Sequence, residues 1–208
     1  MAKFERLQII SLNVRGIGEN TKRRDIFRWL TRSQKGRESI IMLQETHSTP
    51  ICESIWEKEW GSKIYFSHGA SNARGVAILM PIKYNFLVQE LWKDGEGRAL
   101  ALAIIMDDKT YNITNIYAPT KDKITDQLKF LKSVDFNLQL AESPFIIGGD
   151  FNTYLDPLLD KQGGKPEATS KYAAAEQLRS LMNEYNIVDV WRILIQVVKG
   201  IHGGKTTL

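Results

Sequence analysis

Cysteine is almost missing from this chain: Cys52 is the only one among 208 residues. A lone thiol can form neither an internal disulfide nor a cysteine-built zinc finger, and it agrees with a reducing compartment. No apolar run approaches the roughly 20 residues that span a bilayer as a helix. The opening MAKFERLQ passes into a candidate strand without the h-region of a signal peptide, so a soluble, intracellular protein is expected. Internal repeats and low-complexity linkers are missing too. Charge of one sign is scarce: 28 basic against 24 acidic residues leave a formal charge of +4, which permits an anionic partner without requiring one. What is present is material for a core. With 43% hydrophobic, 10% aromatic and 25% charged residues, the chain is too apolar to be disordered, and its length suits one domain around one large core.

The segment LQIISLNV (7–14) mixes β-branched and apolar residues without helical spacing and breaks at Arg15-Gly16-Ile17-Gly18, which predicts a buried strand followed by a turn. Residues 20–34 open on Asn20-Thr21 and space Ile26, Trp29 and Leu30 at three and four. Lys22, Arg23, Arg24, Arg28 and Arg32 occupy the other faces, so a basic amphipathic helix with a solvated face is expected. SIIMLQ (39–44) is a second strand emptying into Glu45-Thr46-His47, and Pro50 can sit in the first turn of a short helix reaching Trp60. KIYFS, GVAILM, YNFLVQELW, ALALAIIM and TYNITNIYA then read as successive strands, and the turns at 72–75, 94–97 and 107–109 fit an antiparallel meander. After Pro119, residues 121–141 carry a helical rhythm, FIIGGDFN (145–152) is another buried strand, and 170–186 is a helix. Many antiparallel strands with inserted helices predict an α+β layered sandwich.

Three strand ends finish in similar chemistry: Asn13 after IISL, Glu45 after IIMLQ, and Asp150 with Asn152 after FIIGG. Strands packed with their ends on one rim would bring two carboxylates and two carboxamides together, an all-oxygen donor set of the kind Mg²⁺ or Mn²⁺ prefers. The same residue types also cap ordinary turns, so each signal is weak singly and the joint pattern carries the weight. His47 and His68 read as surface histidines. Trp29, Trp56, Trp60 and Trp92 read as packing material rather than a base-stacking platform. Gly200 to Thr206 imitates a phosphate-binding loop, but its spacing is off by one residue and no helix follows within the sequence, so nucleotide triphosphate binding is not expected.

The motifs SLNVRG (11–16), LQET (43–46), RGVAIL (74–79), NIYAPT (115–120) and GGDFN (148–152), in this order, resemble the exonuclease-endonuclease-phosphatase superfamily with the DNase I-like fold. The wording, including the Asp-Val-Trp-Arg ending at Arg192, is most similar to the apurinic/apyrimidinic-type endonuclease domain of non-LTR retrotransposons. The resemblance implies a four-layer α/β/β/α sandwich of two mostly antiparallel sheets, with a domain over 1–192 and a divergent tail over 193–208. It implies a Mg²⁺-dependent hydrolase of DNA phosphodiesters, endonuclease or exonuclease, that leaves a 3′-hydroxyl and a 5′-phosphate. DNA is the expected partner, with no membrane and no obligate protein partner, and the expected setting is DNA repair or retrotransposition in the nucleus.

By the same resemblance Glu45 is the principal metal ligand, with Asn13, Asp150 and Asn152 completing the metal site, and Tyr117, Asp150 and Asn152 are catalytic. Each role suits its group. A carboxylate at Glu45 would hold the cation against a phosphate oxygen, and Asn13 would support the cluster. Asp150 would deprotonate the attacking water, Asn152 would donate to the phosphate or hold the nucleophile, and the Tyr117 phenol would donate to a developing oxyanion. The superfamily ordinarily continues past the position of Arg192 with further strands and a closing Ser-Asp-His motif, which this sequence lacks, and His202 does not match that motif. Two alternatives therefore stand beside the nuclease: a catalytically inactive remnant that at most binds metal or nucleic acid, and a phosphatase or phosphodiesterase acting on lipids or inositol phosphates.

Overall fold

In a computed structural model of the chain, residues 8–33, 39–84, 86–106, 108–120, 123–139, 144–156, 160 and 172–193 are described. The phosphate-loop imitation at 200–206 and the tail from 194 onward lie outside them, as do the starts of the sequence-expected helices at 121 and 170. The chain divides into two compact units, Met1–Asn152 and Thr153–Leu208.

Among the described residues the first unit holds eight strands in two sheets. β1 (Gln8–Asn13), β2 (Ser39–Gln44), β4 (Val76–Leu79) and β3 (Ile64–Ser67) form one sheet in that spatial order. β5 (Leu87–Lys93), β6 (Ala99–Met106), β7 (Lys109–Tyr117) and β8 (Phe145–Asp150) form the other. Four strand pairings are antiparallel, while β1 with β2 and β7 with β8 are parallel. The meander expected over residues 63–118 is therefore split. β3 pairs with β4, and β5 with β6 and β7, but between β4 and β5 the chain changes sheet. The reason lies in β2 and β4, whose side chains are buried on both faces and need cover on each.

Alternation along β2 shows how. Ile41 and Leu43 join Ala77 and Leu79 against Phe27 and Leu30 of α1 (Asn20–Ser33) and Trp56 and Trp60 of α2 (Glu53–Trp60). Ile40 and Met42 join Val76 and Ile78 against Leu100, Leu102, Ile104 and Ile113 of the second sheet. Each such aliphatic side chain removed from water contributes about 1.5 to 3 kcal/mol before chain entropy is counted. On the far side of the second sheet, Val134 and Leu138 of α3 (Ile124–Gln139) line a groove with Ala101, Ala103, Asn112 and Thr114. The layers are thus α/β/β/α.

One helix face differs from its expectation. The buried stripe of α1 is Arg23, Phe27 and Leu30, while Trp29 is 56% exposed. Arg23 is buried because every part of its guanidinium is occupied: Nε meets Glu59 at 2.6 Å, Nη2 meets Asn20 at 2.7 Å, and Nη1 donates to the carbonyls of Ile17 and Gly18. Its plane also lies 5.2 Å from the Trp56 ring. The carboxylate of Glu59 is held below its ordinary pKa by these two arginines, Arg23 and Arg24, against the opposing pull of burial.

The two sheets are also joined by polar bonds. Asn115 on β7 is fully buried and donates to the carbonyls of Leu43 and Ala77, both at 2.9 Å, while its Oδ1 accepts from Gln44 Nε2 at 2.7 Å. Asn115→Ala would strand a buried carboxamide and two carbonyls. A loss of about 3 kcal/mol is expected, read as a lower urea midpoint at unchanged slope.

In the second unit, α4 (Ala173–Glu184) buries Ala174, Ala175, Leu178 and Leu181. Beyond it Arg192 clamps two carboxylates, Asp189 at 3.0 Å and Asp160 at 2.5 Å. The Asp-Val-Trp-Arg segment is thereby closed on itself and on residue 160.

Candidate active site

The parallel pairs decide where the chemistry collects. Parallel neighbours end on the same rim, and the register sets Asn13 beside Gln44 in one sheet and Tyr117 beside Asp150 in the other. Because β1 packs against β8 and β2 against β7 and β8, the two rims meet. Asn13 Nδ2 donates to Glu45 Oε1 and to Asp150 Oδ2, each at 2.8 Å, so the two carboxylates lie no further apart than two hydrogen-bond lengths. The Asn13 side-chain oxygen Oδ1 accepts from the backbone amide of Arg15 at 3.1 Å, so Asn13 meets the carboxylates as a donor.

Tyr117 hydrogen-bonds to Glu45. Burial, this hydrogen bond and the nearby negative charge push its phenol up to about 12, against a smaller opposite effect of Arg98. The Arg98 guanidinium stands 5.5 Å from the ring of Tyr117 and donates to its carbonyl at 3.3 Å. Desolvation, and then the neighbouring Arg74, lower the pKa of Arg98. Asn152 donates from its backbone to Asp150 Oδ1 at 3.1 Å and from its amide to the Ala118 carbonyl at 2.8 Å, which leaves a second amide hydrogen and the carboxamide oxygen. The five residues expected from the sequence are thus brought into one group, and all are partly exposed.

Their backbone is unusual. Glu45 has φ +53° and Asn152 φ +47°, and Arg15, His47 and Arg74 on adjoining segments are also left-handed. Such conformations cost non-glycine residues roughly 1 to 3 kcal/mol and persist only where surrounding bonds impose them. The bonds are present. Gly16 donates to the Glu45 carbonyl at 2.6 Å, Thr46 donates to Gly75 at 2.9 Å, and Ile17 donates to Thr46 at 3.1 Å. Gln127 of α3 caps the carbonyls of Phe151 and Asn152.

Gln44, Arg98, Asn115 and Gln127 were not singled out from the sequence. The first and third lie inside the LQET and NIYAPT motifs, which is the one signal that could have marked them. Both of the histidines expected at the surface are partly exposed. His47 is half-buried, and His68 keeps 18% of its side-chain surface with both ring nitrogens occupied. Trp56 and Trp60 are core, as expected.

The profile of the Endonuclease/Exonuclease/phosphatase family matches residues 10–190. The chain belongs to that family. Over 188 residues the domain is 34% identical to the Transposon TX1 uncharacterized 149 kDa protein of Xenopus laevis, a match that takes in 89% of this chain and 14% of that protein. The chain thus spans about a seventh of that relative's length. In fold it is similar to an AP endonuclease from Archaeoglobus fulgidus, with TM-score 0.58 and 20% identity over 84% of this chain and 70% of that one. It is also similar to a humanized D. rerio TDP2, with TM-score 0.51 and 22% identity over 77% and 68% of the two chains. Both solved structures share the layered fold described above. Among the described residues no helix is long and apolar enough to cross a membrane.

Proposed function

We propose that this domain hydrolyses phosphodiester bonds of DNA with the help of a divalent cation, Mg²⁺ or Mn²⁺, and serves as the nicking endonuclease of a transposon in the nucleus. The observation that carries the reading is the bond of Asn13 to both Glu45 and Asp150, which draws one carboxylate from each sheet onto a single neutral amide. Two like charges so placed suit an oxygen-liganded cation. Among the described residues no three His, Cys, Asp or Glu side chains are grouped to hold a metal by themselves. Glu45 would therefore hold the cation with help from Asp150, Asn152 and water, and Mg²⁺ keeps several of its waters. When bound, the cation would offset charge that builds on the phosphate oxygens.

The chain's own groups would do the rest. Asp150 accepts a proton from the attacking water, whose oxygen joins the phosphorus as the bond from phosphorus to the 3′ oxygen breaks. The departing 3′ oxygen takes a proton from solvent water and leaves as a hydroxyl, and the new end is a 5′-phosphate. Asn13 keeps the two carboxylates apart and aligned. Arg98 places positive charge beside Tyr117, and the phenol donates to the phosphate. A donor must be protonated, and with its pKa up at about 12 Tyr117 stays so throughout the working range.

The test is nicking of supercoiled plasmid and cleavage of an abasic-site duplex, with Mg²⁺ and with chelator. Mg²⁺-dependent cleavage is expected, slowed on the order of 10²-fold in Tyr117→Phe. The phenol's raised pKa means that no alkaline loss of rate traces to Tyr117 until pH nears 12, and a spectrophotometric titration of wild type against that variant checks it. A folded sample with no metal-dependent cleavage overturns the nuclease reading and leaves the inactive remnant.

A further inference from the structure

His68, just past β3, is tied at both nitrogens. Nε2 lies 2.8 Å from Glu53 Oε1 on α2, Nδ1 lies 2.9 Å from Ser48 Oγ, and the ring stacks on Phe66 with centroids 5.3 Å apart. Ser48 Oγ in turn stands 3.0 Å from Thr46 Oγ1, which accepts from the backbone amide of Ser48 at 3.3 Å. Thr46 and Ser48 are fully buried.

The direction of these bonds follows from the groups. A carboxylate only accepts, so Nε2 carries the proton facing Glu53. In the neutral ring Nδ1 is then an acceptor, and Ser48 must donate to it. The Ser48 oxygen is left to accept from the Thr46 hydroxyl. Thr46 to Ser48 to His68 to Glu53 is one chain of donors pointing the same way. Serine, histidine and glutamate in a row have the composition of a nucleophilic triad, but Ser48 has no exposed surface and no substrate can reach it.

What the chain does reach is Glu45. That residue precedes Thr46 directly and sits at φ +53°, a conformation glutamate does not hold unaided. Backbone bonds from Gly16, to Gly75 and to Arg74 fix the main chain on either side, and the His68 chain fixes the turn from within. We propose that His68 is a positioning residue that acts through Ser48 and Thr46 to hold the Glu45 carboxylate in place for its cation. This rests on the reading of Glu45 as a cation ligand.

The test titrates Mn²⁺ alone into the full chain by calorimetry, for wild type, Glu45→Gln, His68→Ala, His68→Asn and His68→Gln. Asparagine places its carbonyl oxygen where Nδ1 stood and can accept from Ser48, whereas glutamine reaches the place of Nε2 and cannot. Glu45→Gln is expected to weaken binding by far more than tenfold. His68→Ala and His68→Gln should weaken it roughly tenfold, and His68→Asn should stay within about twofold of wild type. In cleavage assays the same ordering should appear at limiting Mn²⁺ and fade at saturation, with KM for DNA unchanged.

If Glu45→Gln strongly weakens binding while the His68 variants bind as wild type, or His68→Asn loses as much as His68→Gln, the role of His68 is overturned and that of Glu45 stands. If Glu45→Gln binds Mn²⁺ as tightly as wild type, the reading of Glu45 itself falls. Asparagine and glutamine are both polar and similar in size, so their comparison decides the matter even where His68→Ala is unstable.

Discussion

Asp150→Asn is expected to cut the rate of DNA cleavage by on the order of 10³-fold, with no recovery as Mg²⁺ is raised. The substitution keeps the shape of the side chain and one of its two acceptors, turns the other toward Asn13 or Asn152 as a donor, and removes its ability to take a proton. Its backbone neighbours should hold, because Ala118 donates to the Asp150 carbonyl at 2.9 Å, a bond that does not involve the side chain. Glu45→Gln provides the contrast. If Glu45 serves the cation and Asp150 the water, the glutamine variant should show a raised Mg²⁺ requirement that excess Mg²⁺ partly overcomes. The two variants share one amide partner in Asn13, so their effects should fall short of additive in the double variant. Cleavage rates across a Mg²⁺ series separate the roles. Equal response of both variants to Mg²⁺ would sink this division of labour.

Gly149→Ala is expected to cost more than about 4 kcal/mol, enough to unfold a domain of ordinary stability. Gly149 has φ +137°, and a methyl group there would lie 2.0 Å from the Ile116 carbonyl oxygen on the neighbouring strand. Ile116 and Gly149 are register partners, so nothing flexible can move aside. Relief would require β7 and β8 to part, which also separates Tyr117 from Asp150. Gly95→Ala is the matched control: no atom lies within 4 Å of the added carbon, and a change inside about 0.5 kcal/mol is expected. Thermal melts of the two variants beside wild type measure the difference, and a mild effect at Gly149 would mean that the strand pairing there is looser than its register.

Much of this was readable from the chain because strands announce themselves locally. IISLN, SIIMLQ and FIIGGD are apolar runs that end in polar residues, and the structure places all three ends on one rim. What stayed hidden were polar residues whose roles depend on distant partners. Arg23 reads as one more cation on a basic helix until Glu59 is brought to it, and of the expected face of Ile26, Trp29 and Leu30 it is Trp29 that turns outward while Phe27 is buried instead. His68 reads as a surface histidine beside a glycine because Ser48 and Glu53 are 20 and 15 residues away. Asn115 meets Gln44 across 71 residues, and no local pattern marks either as a cross-sheet tie. The meander failed at the one place where the chain leaves a satisfied sheet for a new one, a choice made by burial on both faces of β2 and β4 and not by turn residues.

The left-handed backbone at Glu45 and Asn152 sets two kinds of fitness against each other. Glycine at either position would relax the main chain and remove the side chain that the proposed chemistry uses. A library sorted for heat resistance alone would therefore drift toward sturdier, emptier versions of this domain, and only a sort that also demands cut DNA would keep glutamate and asparagine where they stand.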